Sequence, residues 1–266
     1  MDATGGMMAD AAPPLLEAAE VSYTYSGATP THALAGISLR VDENEFLAVL
    51  GPVGCGKTTL LRIFAGFLRP TTGRVRFRGA PIDGPSSEKG YVLQEQSIFP
   101  WMTVRENIEF GLLAKGAPPS ARQAVSEELL ELIGLSAFHA AHPKDLSAGM
   151  SKMVEVARVL ATDPTVLLLD EPFGALDAQT RTRMQDALSR LWERRRKTVL
   201  FVTHDVEEAL YLADRIVVLS PRPGHLKARF AVDIARPRSF ETRFSAPFLD
   251  LKRRVWEAIG TTDLPP

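Results

Sequence analysis

A glycine-rich octapeptide that ends in lysine and threonine has the residues needed to hold phosphate groups. Residues 51–58 read GPVGCGKT and fit the pattern G-x-x-x-x-G-K-[ST]. In this pattern backbone N–H groups wrap the phosphates, and the helix that follows adds the positive end of its dipole. Lys57 can reach the β- and γ-phosphates, and the Thr58 hydroxyl can hold Mg²⁺. We therefore predict a nucleoside triphosphate site here; the alternative is a glycine-rich turn with a surface lysine.

Two adjacent carboxylates end a short apolar run further along the chain, where residues 166–171 read VLLLDE. A carboxylate at the end of a buried strand is costly unless it has a partner, and Mg²⁺ supplies one. Asp170 is therefore predicted to face the metal, and Glu171 to face an attacking water as general base. The alternative is an acidic strand end that caps the next helix.

A histidine lies in a third polar cluster, THD at residues 203–205, which follows the apolar run TVLFV. A lone histidine more often satisfies a hydrogen bond in a core than takes part in chemistry. Because His204 is expected at the same sheet edge as Lys57 and Asp170, it becomes a candidate contact of the γ-phosphate. Thr203 or Asp205 is expected to cap the helix that follows.

Three apolar runs must place these side chains at one edge. FLAVL (46–50), VLLL (166–169) and TVLFV (198–202) are typical of buried parallel strands, and a polar cluster and a helical pattern follow each. This alternation predicts an α/β core whose ligands lie beyond the carboxyl ends of the strands. Alternating apolar and polar residues at 17–25, 37–41 and 73–79 predict an antiparallel sheet. DENE (42–45) is typical of a hairpin turn, with Asn44 at positive φ.

Strand signals stop between about residues 95 and 163, which predicts a helical subdomain inserted into the α/β core. Thr103 with Glu106, and Ser120 with Gln123, have capping-box spacing before two helical patterns. LSAGM (146–150) begins a third helix, with Ser147 as N-cap. The domain boundaries that we predict are a flexible N-terminal tail over 1–16, a nucleotide-binding domain over 17–240 and a C-terminal helical extension over 241–266.

Composition excludes several classes of protein. The chain has 31 Lys and Arg against 32 Asp and Glu, so its net charge gives no support for a nucleic-acid partner. A single cysteine, Cys55, excludes an internal disulfide and fits a reducing cytosol. The N-terminus lacks the basic segment and apolar core of a secretory signal. No apolar run approaches the roughly 18 residues of a membrane span, so any spanning is expected of another chain.

Four longer segments resemble the ATP-binding subunits of ABC transporters, and in particular the importers of nitrate, sulfonates and taurine. These segments are GPVGCGKTTLLRIFAGFLRPTTG, VLQEQSIFPWMTVRENI, LLLDEPFGALDAQTR and FVTHDVEEALYLADRIVVLSPRPG. The resemblance covers about residues 17–260, with the motifs in the family's order. It implies a P-loop NTPase fold: an α/β ABC-type nucleotide-binding domain with an antiparallel β subdomain and an inserted helical subdomain.

The resemblance also assigns roles to residues that carry no signal by themselves. Tyr25 would stack on adenine, Gln94 would lie in the loop that links Mg²⁺ to the helical subdomain, and His204 would be the switch histidine. Asp177 would lie in the loop that contacts a second subunit. Taken alone, Tyr25 reads as an edge-strand aromatic and Gln94 as a surface loop residue.

LSAGM occupies the place of the family's signature, usually LSGGQ or LSGGM. The resemblance implies a head-to-tail dimer in which the helix of one subunit would present Ser147 and Gly149 to the γ-phosphate held by the other. Ala148 replaces a glycine and Met153 replaces the usual arginine. We expect these changes to weaken the site without abolishing it, and Lys152 to restore part of the charge.

The predicted cofactors are ATP and Mg²⁺, and the predicted site residues fall into three groups. They are catalytic Lys57, Glu171 and His204; metal-binding Thr58, Gln94 and Asp170; and nucleotide-binding Tyr25, Gly51, Pro52, Val53, Gly54, Cys55, Gly56, Lys57, Thr58, Thr59, Gln94, Ser147, Gly149 and Asp177.

The resemblance implies an ATPase subunit that is peripheral to the cytoplasmic face of the inner (plasma) membrane. Two copies would form a homodimer around two ATP molecules and drive integral membrane permease subunits, which an extracytoplasmic substrate-binding protein would supply with a small solute. SIFPWMT (97–103) is expected to form part of a groove for a permease helix; the alternative is a buried loop anchor. The solute itself stays open, because it is chosen by the other components.

Three other readings remain. A soluble ABC-type ATPase acting on nucleic acid or ribosomes has only the basic run RRRK (194–197) in its favour, and cations suit a helix C-terminus in any case. A P-loop kinase would leave the signature, Gln94 and His204 unexplained. An ATP-independent scaffold would leave the intact Lys57, Asp170 and Glu171 without a role.

Overall fold

The computed structural model describes residues 13–174 and 176–260. Within these residues there are ten strands, which are, in chain order, β1 (Leu16–Tyr25), β2 (Thr31–Val41), β3 (Phe46–Leu50), β4 (Thr72–Phe77), β5 (Ala80–Pro81), β6 (Lys89–Val92), β7 (Val166–Asp170), β8 (Thr198–Thr203), β9 (Arg215–Leu219) and β10 (Leu226–Ala231). The α-helices are α1 (Lys57–Ala65), α2 (Val104–Ala114), α3 (Pro119–Leu132), α4 (Ala148–Ala161), α5 (Ala178–Arg195), α6 (Val206–Leu212) and α7 (Ala246–Ile259).

The strands form two sheets, as the sequence predicted. A four-stranded antiparallel sheet has the order β2-β1-β4-β5, and a six-stranded sheet has the order β10-β9-β3-β8-β7-β6. In the larger sheet β9, β3, β8, β7 and β6 run parallel, and β10 is antiparallel to β9. The three predicted parallel strands are β3, β8 and β7, which are neighbours and fully buried.

The hydrophobic core lies on both faces of the six-stranded sheet, because successive side chains of a strand point to opposite faces. On β3, Leu47 and Val49 pack toward the antiparallel sheet and α1. Phe46 and Leu50 pack toward α4, α5, α6 and α7. Both faces of the parallel strands are therefore covered, which explains why their sequences are continuously apolar.

Helices α2, α3 and α4 and two short 3₁₀ helices fill the segment in which strand signals stop; the structure describes every residue from Val92 to Val166, and there is no strand between them. The Thr103–Glu106 capping box at the start of α2 is confirmed, with both reciprocal hydrogen bonds present. The Ser120–Gln123 capping box is wrong. Helix α3 begins at Pro119 after an N-cap at Pro118, because the fixed φ of proline suits the first helical position.

The predicted hairpin turn at DENE is also wrong, although Asn44 does have positive φ (62°). The turn leads from β2 in the antiparallel sheet to β3 in the six-stranded sheet, so the two strands are not paired. Glu45 holds this junction, because it accepts hydrogen bonds from the guanidinium of Arg215 on β9 at 2.6 and 2.9 Å.

The two ends of the chain are only partly described. Residues 1–12 of the predicted tail, and 261–266 of the predicted extension, lie outside the described residues. Leu16 already belongs to β1, where it pairs with Val41 and Phe77, so the sheet begins before the predicted boundary. The reason is that Leu15 and Leu16 are apolar and buried. Near the other end, α7 buries Phe248 in the core. The described helices include none that is both long and apolar enough to cross a membrane.

Candidate functional site

A cavity of roughly 690 Å³ lies beyond the carboxyl ends of β3, β7 and β8. Predicted site residues from five separate parts of the chain line it: Tyr25, Val53, Gly54, Gly56, Lys57, Thr58, Thr59, Gln94, Glu171 and His204. The pairing of Leu50 with Thr203 and of Asp170 with Val202 explains the convergence, since the three strands end at the same level. Gly51, Pro52 and Cys55 belong to the same loop but do not line the cavity.

The loop between β3 and α1 has a backbone that other residues would not adopt. Gly56 precedes α1 with φ of 101°, and an added Cβ there would lie 2.7 Å from the Ala33 carbonyl oxygen. Helix α1 begins at Lys57, and its first turn contains no acidic residue. Its free N–H groups and positive dipole end therefore lie at the cavity, which is the arrangement expected of an anion site.

Lys57 is buried beside the cavity. Its Nζ donates hydrogen bonds to the carbonyl oxygens of Gly51 (2.8 Å) and Pro52 (3.0 Å), and lies 3.3 Å from Glu171 Oε1. The neighbouring Cys55 is also buried, and burial raises the pKa of its thiol. A thiol with a raised pKa is a poor nucleophile, in keeping with a packing role.

Asp170 lies next to other oxygen groups that could hold a metal ion. Its Oδ1 accepts a hydrogen bond from Thr58 Oγ1 at 2.8 Å, and its Oδ2 accepts one from the Tyr91 hydroxyl at 2.8 Å. Gln94 lines the same cavity. In the described part of the chain no three His, Cys, Asp or Glu side chains gather into a metal cluster. A site with few protein ligands, all of them oxygen atoms, fits Mg²⁺, because this ion keeps several of its bound water molecules and also binds the phosphates of the substrate.

Tyr91 is a site residue that the sequence analysis missed. It lies on β6, where it pairs with Leu168 of β7, one strand away from the predicted strands. Burial raises the pKa of its hydroxyl, and the charge of Asp170 raises it further, so the hydroxyl stays a donor. The segment KGYV is short and gives no sequence signal that β6 lies next to Asp170.

Glu171 turns away from Asp170 because its backbone adopts positive φ (41°), which is rare for a residue with a side chain. Its N–H donates to the Val202 carbonyl oxygen at 3.1 Å, which holds this conformation. The carboxylate lies between two cationic or potentially cationic groups. Oε1 is 3.3 Å from Lys57 Nζ, and Oε2 is 3.0 Å from Nδ1 of His204.

Tyr25 lies at the other end of the cavity. Its hydroxyl is 3.0 Å from Thr59 Oγ1, and its ring packs edge-on against Tyr23. About a third of the residue is exposed (37 %). The ring is therefore fixed at one side and open at the other, as stacking on a base requires.

Arg222 lines the cavity and was missed by the sequence analysis, like Thr31, Ala33 and Gly174. It lies in the connection between β9 and β10, which is held against β2: the Gly224 N–H donates to the Ala33 carbonyl oxygen (2.9 Å), and the Ala35 N–H donates to that of Gly224 (3.0 Å). The turn-forming stretch PRPG was the only sequence signal for this connection, and it does not show against which part of the cavity the turn packs.

Ser147, Gly149 and Asp177 are not brought to this cavity. Ser147 caps α4, since its Oγ accepts from the Met150 N–H at 3.2 Å, and Asp177 caps α5 by accepting from the Thr180 N–H at 3.0 Å. The two helix starts pack closely: an added Cβ at Gly149 would lie 2.4 Å from Thr180 Cγ2. The three residues therefore lie together at the starts of α4 and α5, a region that we name the α4–α5 surface; Ser147 and Asp177 are exposed there and Gly149 is buried.

The expectation that Lys152 restores charge at this surface is wrong. Lys152 is only 5 % exposed, and its Nζ is hydrogen-bonded to the carboxylate of Glu155 at 2.7 Å. The side chain is directed into the helical subdomain, because Glu155 and the loop that contains Gln94 lie on that side. Met153 is buried as well (1 %).

Comparison with known proteins connects these features to one family. Residues 34–174 match the family model described as ABC transporter. The chain is 48% identical over 223 residues to an uncharacterized ABC transporter ATP-binding protein of Methanocaldococcus jannaschii, covering 84% of this chain and 82% of that protein. It is 43% identical to the aliphatic sulfonates import ATP-binding protein of Bacillus licheniformis (89% and 91% covered). It is 45% identical to the taurine import ATP-binding protein of Pseudomonas entomophila (84% and 85%).

Solved structures agree with the sequence comparisons. One is the dimeric ATP-binding cassette MJ0796 in a post-hydrolysis state bound to ADP and Pi. It superposes with a TM-score of 0.72 at 29% identity and covers 83% of this chain and all of that one. Another is a subunit of a cbiONQ transporter complex, with a TM-score of 0.74 at 25% identity, covering 91% of this chain and 95% of that one.

Proposed function

The chain belongs to the ABC transporter family, and from that premise we propose that it is the ATP-hydrolysing subunit of an importer for a sulfonate, taurine or a related small solute. The observation that carries the proposal is the convergence of Lys57, Glu171 and His204 on one cavity, with Asp170 hydrogen-bonded to the cavity residue Thr58. The class of solute rests on the names of the sulfonate and taurine relatives.

Each residue has a task that follows from its position. When Mg·ATP is bound, Mg²⁺ neutralises charge on the phosphates, and Thr58, Asp170 and Gln94 would hold it. Lys57 would exchange its loop carbonyls for phosphate oxygens. This exchange would free Glu171 Oε1, now 3.3 Å from Lys57 Nζ, to accept a proton from the attacking water.

The α4–α5 surface supports the proposal of a homodimer. Ser147 and Gly149 lie at the start of a helix, where free N–H groups attract anions, and yet they do not line the cavity of their own chain. Two copies placed head to tail would bring the α4–α5 surface of one to the cavity of the other. The solved cassette MJ0796 is itself dimeric.

An exposed aromatic cluster supports a membrane partner. Trp101 is 70 % exposed, and Phe99 packs against it and against Phe110, with ring centroids 5.4 and 4.6 Å apart. Such a patch is typical of a protein interface. We propose that it receives a helix of an integral permease, with an extracytoplasmic binding protein as third component, and that the chain is therefore peripheral to the inner membrane on its cytoplasmic face.

The competing nucleic-acid reading loses most of its support, because three of the four cations in the basic run 194–197 have partners within the chain. Arg195 pairs with Glu128 at 2.7 Å and Lys197 with Asp163 at 2.8 Å, while Arg196 lies over the ring of Trp192 at 4.6 Å. Cations that are already paired release few counterions on binding a phosphate backbone.

The proposal is tested by Glu171→Gln, which keeps the shape of the side chain and removes the base. With saturating Mg·ATP we expect turnover to fall by roughly 10²-fold or more, and light scattering to detect a stable ATP-bound dimer. Glu207→Gln, at an exposed position on α6, is the matched control and should leave turnover unchanged. A Glu171→Gln variant that stays monomeric and hydrolyses ATP at the normal rate would contradict both the shared site and the general base.

A further inference from the structure

Helix α4 contains a buried pair of charges to which the proposed reaction gives no role. Lys152 Nζ lies 2.7 Å from Glu155 Oε2, and the two residues are 5 % and 0 % exposed. Removing two charges from water is costly, and a buried pair does not by itself indicate stability. A pair at this depth therefore needs a structural or functional reason.

Lys152 also binds the loop that contains Gln94. Its Nζ lies within hydrogen-bond distance of three consecutive carbonyl oxygens, those of Leu93 (2.9 Å), Gln94 (3.3 Å) and Glu95 (3.3 Å). These residues are 57 to 59 positions away in the chain. One ammonium group thus fixes the backbone on both sides of a residue that lines the nucleotide cavity.

Glu155 and a further residue of α4, Arg158, continue this connection. The Ser97 hydroxyl donates to Glu155, and Arg158 donates to the Ser97 carbonyl oxygen (2.8 Å) and hydroxyl (2.7 Å). The guanidinium of Arg158 also lies over the ring of Phe99, 5.0 Å from its centroid. The loop is therefore attached to α4 from Leu93 to Phe99.

We propose that Lys152 and Glu155 are positioning residues that join the Gln94 loop to α4 as one rigid unit. The inference rests on the proposed function. Gln94 lies at the nucleotide cavity, Ser147 lies at the start of α4, and Phe99 lies in the exposed aromatic cluster. Because the three belong to one unit, a shift of Gln94 on nucleotide binding moves Ser147 and the aromatic cluster with it.

The physical reason is the cost of the alternative arrangement. If the loop moved without α4, Lys152 would be left in the interior with its charge and without its three carbonyl partners. Lys152 would keep Glu155 but would lose three hydrogen bonds in the interior, which is destabilising. The loop and the helix are therefore expected to move together or not at all.

The test separates positioning from mere stabilisation. Lys152→Met with Glu155→Met removes both charges with side chains of similar length, a change that leaves stability nearly unaffected in other buried pairs. We expect kcat for ATP to fall about tenfold, with KM within about twofold and an unchanged unfolding midpoint. The control is Asp250→Met with Arg253→Met, which removes an exposed pair of the same i,i+3 spacing from α7 and should leave kcat unchanged.

A double-mutant cycle with Gln94→Ala then shows whether the pair acts through Gln94. If it does, adding the two Met substitutions to Gln94→Ala lowers kcat no further. The inference is overturned if the effects of Gln94→Ala and of the two Met substitutions on kcat multiply. It is also overturned if kcat is unchanged in the variant that carries only Lys152→Met and Glu155→Met. The same cycle is measured on ATP-dependent dimerisation by light scattering, a readout that needs ATP binding but no hydrolysis. A wild-type chain that binds but does not hydrolyse ATP would refute the proposed function and still leave the coupling measurable.

Discussion

Nδ1 of His204 and Oε2 of Glu171 lie 3.0 Å apart, although the two residues are 33 positions apart in the chain. The other carboxylate oxygen of Glu171 faces Lys57. The carboxylate is thus oriented by one group at each oxygen, in the way that a catalytic base is commonly oriented by a third group. The side chain of His204 is half exposed and that of Glu171 is largely buried. The imidazole therefore has room to move away from Glu171, while the carboxylate is held in place.

His204→Ala should remove this orientation without removing the nucleotide pocket. We expect kcat to fall at least tenfold, because an unoriented base loses part of its general-base contribution of roughly 10²–10⁴. The dissociation constant for Mg·ATP should stay within about threefold. His139→Ala is the control, since His139 is exposed and its ring bonds only the Ser136 carbonyl oxygen within the described residues. A weakened affinity with unchanged kcat would show that His204 only binds.

Ala148→Gly restores the family's glycine at the third position of the signature. We expect ATP turnover of the assembled transporter to rise or to stay unchanged, because the Cβ that faces the approaching phosphate is removed. Stability should fall by about 0.5–1 kcal/mol, since glycine disfavours the helix. Turnover and urea unfolding measure the two effects. A large drop in turnover at unchanged stability would show that this signature works differently from that of its relatives.

Trp101→Ala should separate partner binding from nucleotide binding. Because Trp101 is 70 % exposed and lies outside the cavity, we expect stimulation of ATPase activity by the membrane partner to be abolished and the affinity for Mg·ATP to be kept. Trp256→Ala on α7 removes another exposed tryptophan (41 %) and is the control. Lost nucleotide binding in Trp101→Ala alone would favour the reading of a buried loop anchor.

Glu208 makes stability depend on pH. Burial raises the pKa of this carboxyl from 4.5 to about 7, which the hydrogen bond from Thr203 opposes. Between these two values the unfolded chain loses its proton and the folded chain keeps it. Stability therefore falls as pH rises from about 4.5 to about 7, by on the order of 3 kcal/mol, and stays low above that range.

Glu208→Gln should remove this dependence. We expect the variant to unfold at higher urea than the wild type at pH 8 and at the same urea at pH 4. Glu207→Gln, which changes the exposed neighbour, should follow the wild type at both values. A pH profile that is equally steep in Glu208→Gln would place the titrating group elsewhere.

The sequence by itself determined the parts of the site that lie next to one another in the chain. The octapeptide at 51–58 contains its own glycines, lysine and threonine, and the strand before it and the helix after it follow from local apolar patterns. The ends of β7 and β8 were equally predictable, since an apolar run that ends in DE or THD needs no distant partner to be recognised. Tyr25, Gln94 and Asp177 came only from the family resemblance.

Tertiary structure alone decided which distant groups meet. Tyr91 reaches Asp170 because β6 happens to pair with β7, and strand order is set by the packing of whole elements. The direction of Lys152 was mispredicted for the same reason: its place beside Met153, where the family has arginine, suggested a substitute for that charge, while three carbonyl oxygens from the Gln94 loop bind it in the interior. Local patterns determine the elements, but contacts between residues far apart in the chain depend on how those elements pack.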